Sequence, residues 1–239
     1  MGTNQTILRM QHTSLQFSGG SKQQEADVAK IFRRGRGQGF PIKTGTESGP
    51  ETETHELLKH YAKKHNHRIH FARGSWIAVD RAIIQPKSVL VGSLFVEDTK
   101  NVVGPGHDSV AATMTFRHIR SGVGRIGIAA AHYPTKGKRP GDPNYQVNVR
   151  YAKRINNWMR TLHRRGTLPF VAGDFNMPDQ KLDWDFGLGF TSLGDHLQKW
   201  PGTGHGPIDG MACYDESKRV MPRSLNVLND KEMFMHSDH

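Results

Sequence analysis

Cysteine and long apolar runs are both scarce in this sequence of 239 residues. Cys213 is the only cysteine, which excludes an intramolecular disulfide, a disulfide scaffold and a thiolate zinc site, and which permits a reducing compartment. No stretch approaches the roughly 20 apolar residues of a membrane span, and residues 1–17 lack the apolar run of a secretory signal. We therefore expect a soluble, cytoplasmic protein that does not associate with membranes.

Acidic residues are also in short supply. The chain has 22 Asp and Glu against 33 Lys and Arg, which gives a formal net charge of +11. Such an excess favours association with a polyanion through phosphate contacts and counterion release. We expect nucleic acid as the partner, no obligate protein partner, a monomer, and one domain that spans residues 1–239.

The order of apolar patterns predicts an α/β fold. Apolar and β-branched runs predict strands at 7–17, 40–46, 76–79, 88–96, 111–118, 125–132, 168–172, 208–214 and 232–235. Helical spacing predicts a helix from Ser21 that ends at Arg33 and helices over 51–64 and 145–165, and we expect 177–207 to be loop-rich. This order favours a sandwich of two packed β-sheets flanked by helices.

The predicted helix over 145–165 is amphipathic. Its apolar residues, which include Val147, Tyr151 and Ile155, recur every three or four positions and must face a core. Its other side carries four arginines, which we interpret as a solvated face: Arg150, Arg154, Arg160 and Arg164.

Four histidines lie close together among lysines: His60, His65, His67 and His70. Their spacing lacks the regular pattern of a zinc site. We therefore favour a solvated or phosphate-facing surface there and expect no second metal site.

Polar side chains that follow apolar strands are the candidates for chemistry. Hydrolysis of a phosphodiester requires neutralisation of the phosphate charge, activation of water and stabilisation of the leaving oxygen. Divalent cations held by carboxylates can perform the first and third tasks, and a histidine held by a carboxylate can perform the second. Residues of these types follow predicted strands at His132, Asp174, Asn176, Asp209 and the pair Asp238-His239.

The segment Gly173-Asp174-Phe175-Asn176 is the most specific of these signals. Strand alternation places Asp174 and Asn176 on the same side, so that both can reach one phosphate or metal while Phe175 packs inward. The alternative is a β-turn in which Asp and Asn bond to the local backbone, the usual role of an isolated Gly-Asp-Xaa-Asn.

Five short motifs occur in a fixed order along the chain. They are 44–48 (TGTES), 130–134 (AAHYP), 171–176 (VAGDFN), 208–211 (IDGM) and 237–239 (SDH). Together they resemble the motifs of the endonuclease/exonuclease/phosphatase superfamily. The resemblance implies a deoxyribonuclease I-like fold, the four-layer αββα sandwich, and a magnesium-dependent phosphodiesterase or endonuclease.

The resemblance also implies a metal site. Glu47 and Asp238 would bind Mg²⁺, for which Mn²⁺ or Ca²⁺ can substitute. Asp174 and Asn176 would lie at the scissile phosphate or at a second metal position.

Two histidines receive catalytic roles from the same resemblance. His239 would be the general base or a phosphate ligand, oriented by Asp209 through a carboxylate–histidine contact. His132 would donate a hydrogen bond to a phosphate oxygen and stabilise the transition state.

Basic and polar residues beside these motifs are expected to bind substrate. Lys136, Lys138 and Arg139 directly follow the central histidine, although a solubilising loop is the alternative for them. Thr203 and His205 precede the late aspartate motif, where the family often places a loop that contacts substrate.

Three functions stay open on the sequence. The first is a Mg²⁺-dependent nuclease, exonuclease or endonuclease, that binds and cleaves DNA rather than RNA. The second is a phosphatase or phosphodiesterase for small phosphoesters such as inositol phosphates or phospholipid headgroups, because one site serves these substrates across the superfamily. The third is a catalytically inactive member that binds nucleic acid, since residues 12–16 lack the family's first-strand asparagine and the chain ends at His239.

Overall fold

The computed structural model describes eleven segments of the chain: 9–14, 21–33, 40–46, 53–72, 75–83, 90–93, 110–115, 125–133, 140–175, 190–192 and 209–214. The helices in these segments are α1 (Ser21–Phe32), α2 (Glu53–Lys64) and α3 (Tyr145–Arg164). The strands are β1 (Met10–Ser14), β2 (Ile42–Thr46), β3 (His67–Ala72), β4 (Ser75–Asp80), β5 (Leu90–Ser93), β6 (Val110–Thr115), β7 (Arg125–His132), β8 (Thr167–Asp174), β9 (Phe190–Ser192) and β10 (Asp209–Tyr214). Within these segments, no helix is both long enough and apolar enough to cross a membrane.

The strands form two mixed sheets. The four-stranded sheet has the order β1-β2-β4-β3, in which β1 and β2 are parallel and the other neighbours are antiparallel. The six-stranded sheet has the order β5-β6-β7-β8-β10-β9, in which β7 and β8 are parallel and the other neighbours are antiparallel. The crossover between β7 and β8 is α3, as parallel neighbours require a long connection.

Alternation along β7 divides its side chains between two cores. Ile126 and Ile128 pack between the two sheets, where they meet Ile42 of β2 and Phe170 of β8. Ala129 and Ala131 pack on the opposite face, against α3. A strand covered on both faces is apolar at every position, which explains why β7 and β8 appear in the sequence as continuous apolar runs.

Helices cover the outer face of each sheet. The helix α3 packs on the six-stranded sheet through Tyr151 and Ile155, both fully buried, which confirms its predicted apolar stripe. The helices α1 and α2 cover the four-stranded sheet, with Phe32 and Leu58 against Trp76 of β4. The order of layers is helix, sheet, sheet, helix, and it confirms the predicted α/β sandwich.

The strand β3 was absent from the sequence prediction, and the solvated interpretation of its first histidine was wrong. His67 is only 4% exposed, its ring packs edge-on to Phe32 with centroids 5.5 Å apart, and its Nδ1 lies 2.8 Å from the His65 carbonyl oxygen. Burial lowers the pKa of His67, against the opposing effect of its contact with that carbonyl. Packing under α1 and pairing with β4, rather than residue composition, therefore determine this strand.

Two smaller differences concern the second half of the chain. The region predicted as loop-rich contains the short strand β9, which pairs with β10. Arg160 is not part of the solvated face of α3, because its guanidinium lies 5.9 Å from the centre of the Tyr214 ring. The strand predicted at 232–235 lies outside the described residues.

Lys43 is buried inside the protein. It lies in β2, opposite Ala78 of β4, and only 2% of it is exposed. Its ammonium group lies 3.4 Å from Oε1 of Gln11 and 5.5 Å from the centre of the Phe40 ring. Burial lowers the pKa of Lys43 from 10.5 to about 8, although the charge of Asp80 raises it.

Replacing this lysine with an apolar side chain of similar length should stabilise the protein. Because the folded state binds the Lys43 proton less tightly than the unfolded chain, the free energy of unfolding should rise between pH 8 and 10.5, by up to about 3 kcal/mol. The Lys43→Met variant should lack this rise and should be more stable at pH 7 by about 1–3 kcal/mol. Urea unfolding across this pH range measures both effects, with Lys63→Met on the exposed face of α2 as the control. An equal pH dependence in Lys43→Met and the parent chain would contradict this account.

Candidate active site at the edge of the six-stranded sheet

Three of the predicted site residues lie on neighbouring strands at one edge of the six-stranded sheet. His132 is the last residue of β7, Asp174 is the last residue of β8, and the two are partners in the parallel register. Asp209, the first residue of β10, is the antiparallel partner of Asp174. The sheet therefore brings together the backbones of three residues that are far apart in the sequence.

The side chains of His132 and Asp174 are buried next to each other. His132 Nε2 lies 3.9 Å from Asp174 Oδ2, and the two side chains are 5% and 2% exposed. This distance is within the range of an ion pair and too long for a direct hydrogen bond. A carboxylate buried in this way is stable only where cations or hydrogen-bond donors surround it.

Strand alternation explains why these two side chains meet. Ile128 and Ala130 precede His132 at two-residue intervals in β7, and both belong to the core between the sheets. Phe170 belongs to the same core and lies four residues before Asp174 in β8. His132 and Asp174 thus continue the apolar inner face of the sandwich to its end, where polar groups replace the apolar ones.

Aromatic packing fixes the two strand ends on the opposite face. Phe175 is fully buried and packs edge-to-face against Tyr133, with ring centroids 5.2 Å apart. The backbone N–H of Tyr133 donates to the carbonyl oxygen of Asp174 at 2.8 Å. The prediction that Phe175 packs inward is confirmed, and this packing holds the adjacent Asp174 in place.

Gly173 allows β7 and β8 to approach closely beside the site. A Cβ atom at this position would lie 2.0 Å from the carbonyl oxygen of Ala131, which is backbone and cannot move away independently. A Cβ atom at Gly127 in β7 would instead lie 2.4 Å from Cδ1 of Leu162, which is the end of a flexible side chain. The two glycines therefore differ in how much strain a methyl group would cause.

We expect Gly173→Ala to destabilise the protein far more than Gly127→Ala. Overpacking against backbone should cost about 3 kcal/mol at Gly173, whereas rotation of the Leu162 side chain should limit the cost at Gly127 to about 1 kcal/mol. Urea unfolding measures the two values, and an unchanged slope with denaturant confirms that both variants unfold by the same transition. Equal costs would show that β7 and β8 separate freely at this edge.

The other nine predicted site residues lie outside the described part of the chain. These are Glu47, Lys136, Lys138, Arg139, Asn176, Thr203, His205, Asp238 and His239. Glu47 directly follows the last residue of β2, and Asn176 follows Phe175. Within the described segments, no three His, Cys, Asp or Glu side chains form a group that would hold a metal. The predicted carboxylate ligands Glu47 and Asp238 lie outside these segments.

Sequence reasoning missed one polar pair in the middle of β1 and β2. His12 Nδ1 lies 2.9 Å from Thr44 Oγ1, and the two residues are partners in the parallel register of these strands. The strands end two residues later, at Ser14 and Thr46. The only sequence signal for this pair was a histidine inside the first predicted strand.

Solved structures share this architecture at low sequence identity. Humanized TDP2 of D. rerio is 11% identical, with a TM-score of 0.61 over 88% of this chain and 84% of its own. The mannosyl-6-phosphatase of Bacteroides thetaiotaomicron is 14% identical, with a TM-score of 0.63 over 88% of this chain and 86% of its own. An endonuclease/exonuclease/phosphatase family protein of the same organism is 14% identical, with a TM-score of 0.60 over 87% of this chain and 83% of its own.

The sequence alone matches no protein-family model and no curated protein. The fold, by contrast, matches over more than four fifths of each of these three structures. His132 and Asp174, which belong to the motifs at 130–134 and 171–176, lie at the ends of two paired strands of this fold. The chain therefore shares the fold of these three structures, the deoxyribonuclease I-like α/β sandwich.

Proposed function

We propose that this protein is a metal-dependent phosphoester hydrolase, and that it acts as a nuclease on DNA. The observation that carries the proposal is the buried pair of His132 and Asp174 at adjacent strand ends, with the backbone of Asp209 beside Asp174. An imidazole and a carboxylate held together at a sheet edge are the groups that phosphoester hydrolysis requires.

The donor chemistry of this edge fits a hard divalent cation. Asp174 supplies a buried carboxylate, 1% exposed, whose charge needs a positive neighbour. Glu47 and Asp238 would hold Mg²⁺, with Asp174 and Asn176 close to it or to the scissile phosphate. When bound, the ion neutralises phosphate charge and stabilises the leaving oxygen.

The remaining residues act on the phosphate and on the water. His132 donates a hydrogen bond to a non-bridging phosphate oxygen, because its buried ring is held at the strand end and does not need to reorganise. His239, oriented by Asp209, either accepts the proton of the attacking water or binds the phosphate. Comparison of the hydrolytic activity of a His239→Asn variant with that of the parent chain tests whether His239 takes part in the reaction.

A polymer substrate is favoured by charge. A net charge of +11 supports binding to many phosphates at once, which a small ester does not require. One solved structure of D. rerio TDP2 contains a single-stranded DNA product, and its TM-score with this chain is 0.54. Lys136, Lys138 and Arg139, with Thr203 and His205, are the proposed substrate contacts.

A second candidate is a phosphatase for small esters. It is favoured by the matches to the mannosyl-6-phosphatase and to ANGEL2, a 2′,3′-cyclic phosphatase solved with adenosine-2′,3′-vanadate, which has a TM-score of 0.57. A third candidate, an inactive nucleic-acid-binding protein, rests on the missing first-strand asparagine.

One set of incubations separates the three candidates. The purified chain is mixed with supercoiled plasmid, single-stranded DNA, RNA, a sugar phosphate and an inositol phosphate, each with Mg²⁺ or with a chelator. We expect cleavage of DNA that requires Mg²⁺ and that disappears in Asp174→Ala. Turnover of the small esters alone would support the phosphatase, and binding of DNA without cleavage would support the inactive protein.

A further inference from the structure

The helix α3 has no acidic residue in its 20 positions. Five basic residues point away from the core along it and just past its end, and all are exposed: Arg150, Lys153, Arg154, Arg164 and Arg165. At 100° per residue, these five positions fall within about 60° of one line along the helix. We call this surface the basic stripe.

The stripe is continuous and purely polar. Asn157 and Thr161 lie on the same line between its two basic ends, and both are exposed. From Arg150 to Arg165 the stripe covers 16 residues, or about 22 Å of helix. Arg160 is excluded from it, because that side chain packs over the Tyr214 ring.

Four of the five basic residues of the stripe have no acidic partner within the described part of the chain: Lys153, Arg154, Arg164 and Arg165 form no ion pair there. The other two helices behave differently, since Lys30 pairs with Asp27 in α1 and Lys59 pairs with Glu56 in α2. The positive charge of these four residues is therefore available to a polyanion.

The stripe begins at the same end of the six-stranded sheet as the candidate active site, on the opposite face, and leads away from that end. Val147 and Tyr151, in the first turns of α3, share a core with Tyr133 and Phe175 at the ends of β7 and β8. The helix then runs back along the sheet, so that Arg165 precedes the first residue of β8, Thr167, at the opposite end. A polymer held at the strand ends can thus continue along α3.

We propose that the basic stripe of α3 binds the phosphate backbone of nucleic acid outside the catalytic edge. The proposal rests on the proposed function for the class of substrate. Duplex nucleic acid has one phosphate per 3.4 Å of each strand, so about 22 Å of stripe spans roughly six phosphates. An anionic membrane is the less fitting partner, since Trp158 packs against the core and no apolar side chain is exposed on the stripe.

Binding assays with matched charge changes test the proposal. The stripe variant carries Lys153→Gln, Arg154→Gln, Arg164→Gln and Arg165→Gln. The control variant removes four exposed charges elsewhere, through Lys63→Gln, Lys64→Gln, Arg68→Gln and Arg81→Gln. Fluorescence anisotropy with a labelled duplex of about 30 base pairs, in chelator, measures Kd at several salt concentrations without cleavage. Thermal unfolding confirms that both variants fold.

We expect the stripe variant to bind at least about tenfold more weakly at 0.1 M salt, with a salt slope shallower by about three to four, because each phosphate contact contributes close to one unit. The control variant should change far less. Equal losses in the two variants would overturn the proposal, because net charge alone would explain them, as would no loss in either. Binding to phosphatidylserine vesicles but not to DNA would also overturn it. Hydrolysis of small phosphoesters is measured separately. Failure of the stripe proposal can therefore be distinguished from failure of the proposed hydrolase function.

Discussion

The Asp174→Asn variant should lose hydrolytic activity by about 10³-fold or more while it keeps its fold. The substitution removes one negative charge and preserves the volume of a side chain that is 2% exposed. In the proposed mechanism this carboxylate faces both the divalent cation and His132, so its loss should remove electrostatic stabilisation of the transition state.

Initial rates with Mg²⁺ on the best substrate measure this effect, and urea unfolding measures stability. Asp27→Asn on α1 is the matched control, since Asp27 pairs only with Lys30 among the described contacts and lies in another layer. We expect that control to retain full activity. Activity within tenfold of the parent chain in Asp174→Asn would remove Asp174 from the catalytic site.

The His132→Gln variant should lower the turnover number by about 10²–10³-fold, with a smaller change in KM. Glutamine fills most of the same space but cannot carry the positive charge that the imidazole can offer to a phosphate oxygen. His67→Gln is a sharp control, because His67 is equally buried, at 4% exposed, and lies in the other sheet. Loss of activity in both variants would indicate a general effect of replacing buried histidines.

The double variant distinguishes one catalytic unit from two independent residues. His132 and Asp174 lie 3.9 Å apart, close enough for their effects to couple. We expect the double variant to be hardly less active than Asp174→Asn alone, as residues that act together are strongly non-additive. Multiplicative losses would show that the two residues act in separate steps.

The strands that build the site could be predicted because burial on both faces leaves a simple signature. The structure confirms the predicted end of β7 at His132, and β8 continues two residues beyond its predicted end at Ala172, to Asp174. The strand β3 has no such signature, since it mixes histidine and arginine with apolar residues in no regular order. It is stabilised by the pairing of all six of its residues with β4 and by packing against α1, and its own residue pattern shows neither.

The contact between His132 and Asp174 could not be derived from patterns along the chain. It depends on β7 and β8 being parallel neighbours in register, and the same holds for Asp209 and its antiparallel partner Asp174. The burial of Lys43 could not be predicted either, because nothing in the local sequence distinguishes it from a solvated lysine. Its burial follows from the layer of helices above the four-stranded sheet.

The glycine beside the site shows how sequence and topology combine. A Gly-Asp motif in a turn needs only local flexibility, whereas Gly173 has backbone from the neighbouring strand where its side chain would be. This close approach brings the end of β8 against β7 and so sets the separation of Asp174 from His132. The geometry of the candidate site therefore depends on a position that contributes no functional group.

The central claim is that the ends of β7, β8 and β10 surround one divalent cation. Paramagnetic broadening of backbone amide signals by Mn²⁺, measured by NMR on the isotope-labelled chain, tests it directly. We expect the amides of His132, Asp174 and Asp209 to broaden together at substoichiometric Mn²⁺, while Arg125 and Thr167 at the opposite ends of the strands stay sharp. Broadening centred on the histidines of β3, or none at these three strand ends, would contradict the account.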